Sequence, residues 1–291
     1  MTLCLDYDAG GLCRVVSAPA YGRQDLGHAP GGPMDRFAVW VGNAMLGQER
    51  YAPALEVVHL SEVRFAGPSC FVLSGAPRDR VRLVRRDNSD ESALRHAVVY
   101  RAEAGDRLVL GRSSRGLRTY VCVRPEGTED SSDVAGRSRP PFEDICNTAD
   151  ADGAIRVTPG PEHDSLADPD AMWGRAWQLT REMSDVGLRL GPTANDVSAM
   201  PTAQPAEITS GPVADGTVQL TPTGPLVLLR QRPTLGGYPR IATVIDVDLD
   251  RLSQYQPGQA LRFRLVSAEQ ALALFRQRED DLAALLAGFP I

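Results

Sequence analysis

Short apolar runs recur along most of the chain, and glycine, proline, asparagine or aspartate separates each run from the next. Within the runs the residues are β-branched or alternate between apolar and polar, which is typical of strands. The predicted strands are Arg14–Val16, Leu55–Leu60, Cys70–Leu73, Val81–Val84, Ala97–Arg101, Arg107–Leu110, Thr119–Val123, Ile155–Thr158, Thr217–Leu220, Leu226–Leu229, Ile241–Ile245 and Ala260–Val266. Because regular helical crossovers are missing, we expect a mainly β fold whose antiparallel or mixed sheets close as barrels.

Two segments show a helical period instead. Asp35–Leu46 follows a Gly-Gly-Pro turn, has one apolar face, and begins with Asp35 as a favourable N-cap. A second helix begins at Ser267, where Gln270 completes a capping box. The pattern therefore adds a few short helices to the β fold, with the last helix packing at the end of the chain.

The stretch 126–153 breaks the strand pattern. It is acidic and rich in serine, aspartate, proline and glycine, which predicts a connector or loop. It divides the chain into a first β-barrel lobe at 1–125 and a second lobe at 154–291 that ends in the C-terminal helix.

Matching spacings favour an internal duplication of these lobes. Met34–Gly42 and Met183–Gly191 each cover eight steps, and each is followed by a Pro-Ala-(Leu)-Glu sequence that ends at Glu56 or Glu207. Further along, a glycine precedes a predicted strand in each half, Gly105 in the first and Gly258 in the second.

Composition narrows the functional classes. The 291 residues contain no apolar run of the ~18 residues that a membrane span requires, so no membrane partner is expected. The N-terminus lacks the basic start and apolar core of a secretion signal, and the five cysteines are widely spread, which predicts reduced thiols in the cytoplasm. The four histidines lack zinc-type spacing, so no metal site is predicted.

The basic residues are all arginine, since the chain contains no lysine. Schiff-base, phosphate-loop and biotin-bearing lysines are therefore excluded, and any biotin must be carried by another polypeptide. The net charge of −6 argues against a nucleic-acid partner, because phosphate binding requires a basic surface.

The strongest candidate chemistry lies between two predicted strands, in the loop Pro-Thr-Leu-Gly-Gly-Tyr-Pro. Arg230 and Arg232 could bind a carboxylate in bidentate fashion, while Gly236 and Gly237 leave backbone amides accessible to an oxyanion. The polar residues Thr234 and Tyr238 would line the same loop. The alternative is a tight hairpin with solvated polar residues.

Two weaker candidates lie in the first half. Asp35, Arg36 and Asn43 belong to the first predicted helix, whose N-terminus could receive an anion. Glu56 is flanked by apolar residues that would bury it, as proton transfer by a carboxyl group often requires. The alternatives are an N-capped helix with a surface ion pair, and a strand glutamate that faces solvent.

These motifs resemble those of the allophanate hydrolase subunit 2 family, which includes the C subunit of 5-oxoprolinase and the C-terminal half of the urea carboxylase carboxyltransferase domain. One matching segment runs from Gly32 to Phe37 and continues to Gly47 and Glu56. The second comprises Arg232, Thr234, Gly236, Gly237, Tyr238, Pro239, Asp248, Leu249, Gln254, Pro257 and Gly258. The resemblance spans nearly the whole chain and implies cyclophilin-like β-barrel lobes.

The resemblance also implies a function. Such a subunit works with a subunit 1-type partner on an amide, a lactam or a carboxylated small molecule, and ATP or carboxybiotin would be supplied by partner proteins. In that scheme Arg232 and the Gly236–Gly237 backbone bind a carboxylate or oxyanion, and Tyr238 and Thr234 orient the substrate. Glu56 or Asp35 would transfer the proton.

The chain departs from the family pattern in several loops. An aspartate of the diglycine motif is replaced by Gln231, one threonine is replaced by Leu235, and the segment at 124–127 is also changed. Because function concentrates in loops, two other interpretations stay open. One is a stand-alone cyclase, lyase or hydrolase of a specialised biosynthetic pathway, and the other is a non-catalytic regulatory binding protein.

Overall fold

The computed structural model describes residues 3–7, 11–87, 91–127, 153–196 and 198–287. They divide into two compact units. Unit 1 comprises Met1–Ala18, Asp35–Asn147 and Asp281–Ile291, and unit 2 comprises Pro19–Met34 and Thr148–Asp280.

The chain thus enters unit 2 early, at residues that the linear division assigns to the first lobe. Hydrogen bonds explain the placement, because the amide of Gly31 donates to the carbonyl of Arg230 at 3.2 Å. A linear division of the sequence keeps residues 19–34 with the first lobe, so it cannot place them in unit 2. Most of the predicted connector lies outside the described residues, so its role stays a prediction.

The described residues of unit 1 form ten strands and one helix, besides the end of the C-terminal helix. The strands are β1 (Leu5–Tyr7), β2 (Leu12–Val16), β3 (Ala54–His59), β4 (Glu62–Phe65), β5 (Ser69–Gly75), β6 (Arg82–Val84), β7 (Glu91–Ala93), β8 (Val99–Ala102), β9 (Arg107–Val109) and β10 (Thr119–Pro125), and the helix is α1 (Arg36–Met45). They form two five-stranded antiparallel sheets, ordered β1-β4-β9-β6-β7 and β2-β3-β10-β5-β8.

The period of two along β3 and β10 builds two apolar cores from one sheet. Leu55 and Val121 point into a core that both sheets share, whereas the neighbouring Ala54 and Cys122 face helix α1. The helix lies close to the sheet at Gly42, where an added Cβ would be 2.6 Å from the Cys122 sulfur. A larger residue at position 42 would therefore force the helix or the Cys122 side chain to shift.

Unit 2 is built around an eight-stranded sheet. Its elements are β11 (Ile155–Pro159), β12 (Trp177–Met183), β13 (Gly187–Pro192), β14 (Gly211–Pro212), β15 (Thr217–Thr221), β16 (Gly224–Leu228), β17 (Leu235–Gly236), β18 (Arg240–Val244), β19 (Ala260–Leu261), β20 (Phe263–Leu265), α2 (Pro169–Trp173) and α3 (Asp246–Leu252). The sheet order is β19-β12-β13-β16-β15-β18-β11-β20, and β14 pairs separately with β17.

The two edge strands of this sheet, β19 and β20, are consecutive in the chain and separated by Arg262 alone. One continuous segment therefore borders both edges, and the sheet nearly closes into a barrel. Its interior holds a single apolar core that includes Trp177, whose indole N–H donates to the carbonyl of Met172 at 3.0 Å. The prediction of a mainly β, barrel-like fold is confirmed.

Both predicted helices are present. Asp35 caps α1, since its carboxylate accepts a hydrogen bond from the amide of Ala38 at 2.9 Å. The last helix, α4 (Ala268–Leu286), begins with the predicted capping box between Ser267 and Gln270. Local polar chemistry at a helix start was thus sufficient to locate both.

The two segments that share the same spacing in the sequence have different structures. Met34–Gly42 leads into and forms most of α1, whereas Met183–Gly191 comprises the end of β12, the turn after it and most of β13. Glu56 is buried in β3, while Glu207 is exposed in a loop. These positions are therefore not structurally equivalent, and equal spacing between them is not a mark of duplication.

Candidate functional site

Two sequence motifs about 200 residues apart meet in unit 2. The amide of Gly31 donates to the carbonyl of Arg230, and the Arg230 Nε–H donates to the carbonyl of Met34 at 3.1 Å. The Cα of Gly31 also faces the side chain of Gln231, whose Nε2 would lie 3.2 Å from an added Cβ. Backbone flexibility at Gly31, where φ is +68°, permits this approach.

Arg230 is fully buried and occupied by protein groups. Its Nη2 donates to Asp250 at 2.7 Å and lies 3.8 Å from Asp246, while Nη1 lies 3.5 Å from Asp215. Burial alone would lower the pKa of Arg230, but these carboxylates raise it above its usual value. We predicted substrate binding by Arg230; in the structure its guanidinium is surrounded by these carboxylates and the carbonyl of Met34.

Arg232 has a different environment, although only 5% of its side chain is exposed. Its Nη1 donates to the carbonyl of Pro233 at 3.2 Å. Its Nε lies 2.9 Å from Asp215 Oδ1, close enough for an ion pair, but the N–H is not aligned for a hydrogen bond. The guanidinium therefore retains donor capacity that the surrounding protein does not use.

The predicted diglycine loop is partly packed. An added Cβ at Gly236 would lie 2.3 Å from Gln219 Nε2 and 3.1 Å from Val213, because β17 pairs with β14 at this point. At Gly237 the nearest atoms, from Ser210 and Ile208, lie at ordinary contact distances of 3.4 and 3.6 Å. The side of the loop at Gly237 is therefore the more open one.

Thr234 and Tyr238 are both half-buried on this loop. The loop is held through its backbone, since the Thr234 carbonyl accepts from the amide of Val213 at 3.1 Å and the Tyr238 carbonyl accepts from Gln219 at 3.2 Å. The Thr234 and Tyr238 side chains are therefore carried by a backbone that these hydrogen bonds hold in place.

The next residue with a charged side chain, Arg240, supports the loop from β18. Glu162 accepts two hydrogen bonds from the Arg240 guanidinium, at 2.8 and 2.6 Å, and one from its amide at 2.9 Å. These bonds hold the pKa of Glu162 below its usual value. Arg240 Nη1 also donates to the carbonyl of Pro212 at 2.7 Å, which secures the strand that pairs with the diglycine loop.

The predicted residues of unit 1 form a separate group. Asn43 is fully buried, and its amide donates to the carbonyls of Ala52 at 2.8 Å and Arg50 at 3.4 Å. Arg36 is half-buried at the first position of α1, and Asp35 is used as its cap. Asn43 therefore fixes the turn after the helix, a structural role that we did not predict.

Glu56 is 2% exposed, as the apolar flanks predicted, but it is not free. One carboxylate oxygen accepts from Arg14 Nε at 2.9 Å and lies 3.8 Å from Arg118 Nε, and the other accepts from the Tyr120 hydroxyl at 2.8 Å. That hydroxyl in turn accepts from the amide of Asp35 at 2.8 Å. Burial, together with Glu56 and Asp35, raises the pKa of Tyr120 well above its usual value.

Several residues at these positions escaped the sequence reasoning. Asp215, Asp246 and Asp250 bind Arg230, Arg232 and Arg278 in unit 2, and Arg14 and Tyr120 bind Glu56 in unit 1. Their local sequences carry no motif, so only an arginine-rich, lysine-free composition hinted at extensive ion pairing. A cavity of about 670 Å³ in unit 1, lined by Arg85, Arg86, Asp87, Arg101, Glu103 and Asp106, was also not predicted.

Among the described residues, no helix is both long and apolar enough to cross a membrane. Within the same ranges, no three His, Cys, Asp or Glu side chains are grouped as a metal ion would require.

Comparison with known proteins identifies the family. A model of the carboxyltransferase domain, subdomain A and B, matches residues 26–139 and 127–265. The C subunit of 5-oxoprolinase from Escherichia coli K12 is 29% identical, and the match covers 94% of this chain and 93% of that protein. A putative urea carboxylase of Emericella nidulans is 23% identical over 97% of this chain, but the match covers 26% of that protein.

Solved structures share the fold. The urea amidolyase of K. lactis superposes with a TM-score of 0.76 at 19% identity and covers 99% of this chain. This chain spans 20% of the length of that enzyme. The resemblance inferred from the sequence motifs is thus confirmed, and the chain belongs to the carboxyltransferase domain family, in which it corresponds to subdomains A and B.

Proposed function

We propose that the chain is a carboxyltransferase- or 5-oxoprolinase-type subunit that binds an amide, lactam or carboxylated small molecule at Arg232 and the diglycine loop. It would act together with a subunit 1-type partner. The E. coli relative is named as one lettered subunit of 5-oxoprolinase, which supports assembly with other subunits.

One observation carries this proposal. Arg232 is 5% exposed, yet its Nε–H has no aligned acceptor and one carbonyl is its hydrogen-bonded partner in the described protein. Leaving donors of a buried guanidinium unmatched costs free energy, about 1–3 kcal/mol per group. Such donors are typical of a site that is completed by an anionic ligand, and a carboxylate matches them in shape and charge.

The surrounding loop suits the same ligand. Gly237 has space around its Cα, so its backbone can approach a bound carboxylate or oxyanion closely. Thr234 and Tyr238 offer a hydroxyl and a phenol on the same fixed backbone, where they would orient the substrate. The carboxylates of Asp35 and Glu56 already serve as a helix cap and an ion-pair centre, so we assign proton transfer to neither.

ATP or carboxybiotin, where the reaction uses either, would come from partner proteins. For biotin this follows from composition, because a biotin-bearing lysine cannot be present in a chain without lysine.

The test is turnover of 5-oxoproline with ATP, and carboxyl transfer, by the chain co-purified with its subunit 1-type partner. Arg232→Gln should lower kcat/KM by about a hundredfold or more, as loss of a charged contact to the reacting group does. Arg181→Gln, which changes an exposed arginine on β12, is the matched control and should leave activity unchanged.

Full turnover by Arg232→Gln would refute the assignment. Turnover of a different metabolite by the chain without any partner would instead establish the stand-alone enzyme, and ligand binding without turnover would establish a regulatory protein.

A further inference from the structure

Asp215 lies between the two arginines of the diglycine segment. Its Oδ1 is 2.9 Å from Arg232 Nε, and its Oδ2 is 3.5 Å from Arg230 Nη1. The Asp215 side chain is 16% exposed, so water screens these contacts only weakly. One carboxylate therefore links a fully occupied guanidinium to one with unmatched donors.

The contacts continue beyond Arg230 to the C-terminal helix. Asp250 on α3 accepts from Arg230 Nη2 at 2.7 Å and from Arg278 Nη1 at 2.8 Å. Arg278, on α4, also binds Asp246 one turn away on α3 at 2.6 Å. Positive and negative groups thus alternate in the order Arg278, Asp250, Arg230, Asp215 and Arg232, all within unit 2.

We propose that Asp215 is a positioning residue for Arg232, and that this relay couples the seating of α4 to the orientation of Arg232. This inference rests on the proposed function only for the ligand of Arg232. The relay consists of contacts between protein groups and does not depend on that ligand. Arg230 and Asp250 are held on both sides, so a change at either end must be taken up by the contact with the poorest geometry. That contact is the misaligned one between Arg232 and Asp215.

This geometry has a kinetic consequence. Asp215 competes with an anionic ligand for Arg232 but keeps the guanidinium in one place. Asp215→Asn should therefore leave KM unchanged or lower it, because the competing charge is gone. It should lower kcat about tenfold, because Arg232 is no longer held in the productive orientation.

The direct test is the exchange rate of the Arg232 Nε–H with solvent, followed by proton–nitrogen NMR of the labelled full chain and assigned by its loss in Arg232→Gln. We expect Asp215→Asn to speed exchange about tenfold, which corresponds to about 1.4 kcal/mol. Arg278→Gln changes the other end of the relay and should shift the same resonance. This variant is used in place of Asp215→Asn if Asp215→Asn does not fold.

Asp196→Asn is the matched control, since Asp196 is a 14% exposed carboxylate in the same unit that binds Arg175 instead, at 2.6 Å. Exchange at Arg232 within twofold of the unmodified chain in both relay variants, or an equal change in the control, would overturn the proposal. Faster exchange with activity that is insensitive to Arg232→Gln would keep the relay and reject the proposed function.

Discussion

Substitution of Glu56 distinguishes a structural role from a catalytic one. A structural role predicts a loss of local stability, whereas a catalytic role predicts a loss of turnover without it. Its carboxylate contacts Arg14 at 2.9 Å, Tyr120 at 2.8 Å and Arg118 at 3.8 Å, and both Glu56 and Arg118 are 2% exposed. Glu56→Gln would remove the negative charge that lies next to the buried Arg118 guanidinium. Breaking such a buried pair costs about 3–5 kcal/mol.

Because the chain has two units, the loss should be measured locally, by hydrogen exchange of peptides from β3 and β10. A loss of about 3 kcal/mol corresponds to exchange that is roughly 150-fold faster, at about 1.4 kcal/mol per tenfold. A peptide from β15 in unit 2 should be unaffected. Tyr120→Phe should give a smaller change of the same kind, about 1–3 kcal/mol, because it removes hydrogen bonds but no charge.

The matched control is Glu62→Gln on β4. Glu62 binds Arg107 at 2.9 Å, but both side chains are at least 30% exposed, so the expected loss is about 0–1 kcal/mol. If Glu56→Gln leaves exchange in β3 and β10 within threefold while turnover disappears, the structural assignment is refuted and Glu56 is catalytic.

Three further predictions concern unit 1. Burial, with a smaller contribution from Arg78, lowers the pKa of His96 to about 4; since the unfolded value is about 6.5, the stability linked to His96 is fully present above that pH. As the pH falls towards 4 the unfolded state alone takes up the proton, so about 3 kcal/mol is lost, and His96→Gln should remove this dependence in pH-dependent unfolding. Gly42→Ala should destabilise the unit by about 1–3 kcal/mol, because the new methyl group would lie 2.6 Å from the Cys122 sulfur; restoration of thermal stability by adding Cys122→Ala would confirm the clash, and no effect of Gly42→Ala would exclude it. Burial raises the pKa of Cys122 to about 12, so iodoacetamide should label the half-buried Cys13 in the native chain and reach Cys122 only after unfolding; equal labelling rates by mass spectrometry would contradict this.

The sequence predicted what local chemistry determines. Each predicted strand overlaps an observed one, although Ala260–Val266 is divided into β19 and β20. The caps at Asp35 and Ser267 located α1 and α4, whereas α2 and α3 were not predicted. The hairpin of β12 and β13 was missed because a bulge between Leu179 and Met183 interrupts its alternation. The strands β1, β4, β7, β14 and β17, each two to four residues long, were also not predicted, since so short a run carries little pattern.

The site was less predictable, because it depends on which distant groups meet. Arg230 and Arg232 are two residues apart and look alike in the sequence, yet one is bound by three carboxylates and the other keeps unmatched donors. The difference arises from residues 15–20 positions away and from the packing of α3. No local pattern reports such long-range pairing.

A chain without lysine must use arginine for every cationic role, so burial of an arginine does not distinguish support from function. Asp248 accepts two hydrogen bonds from the Arg156 guanidinium and one from the Arg156 backbone N–H. The Arg78 guanidinium donates to four oxygen acceptors. In both, the fork of donors is matched by protein groups, as a supporting role requires. Arg232 is equally buried but not equally matched. The Nε–H of the buried Arg278 also has no aligned acceptor, but both of its Nη atoms donate to carboxylates, whereas Arg232 donates to the carbonyl of Pro233. This difference, rather than burial or charge, selects Arg232 as the candidate ligand-binding residue.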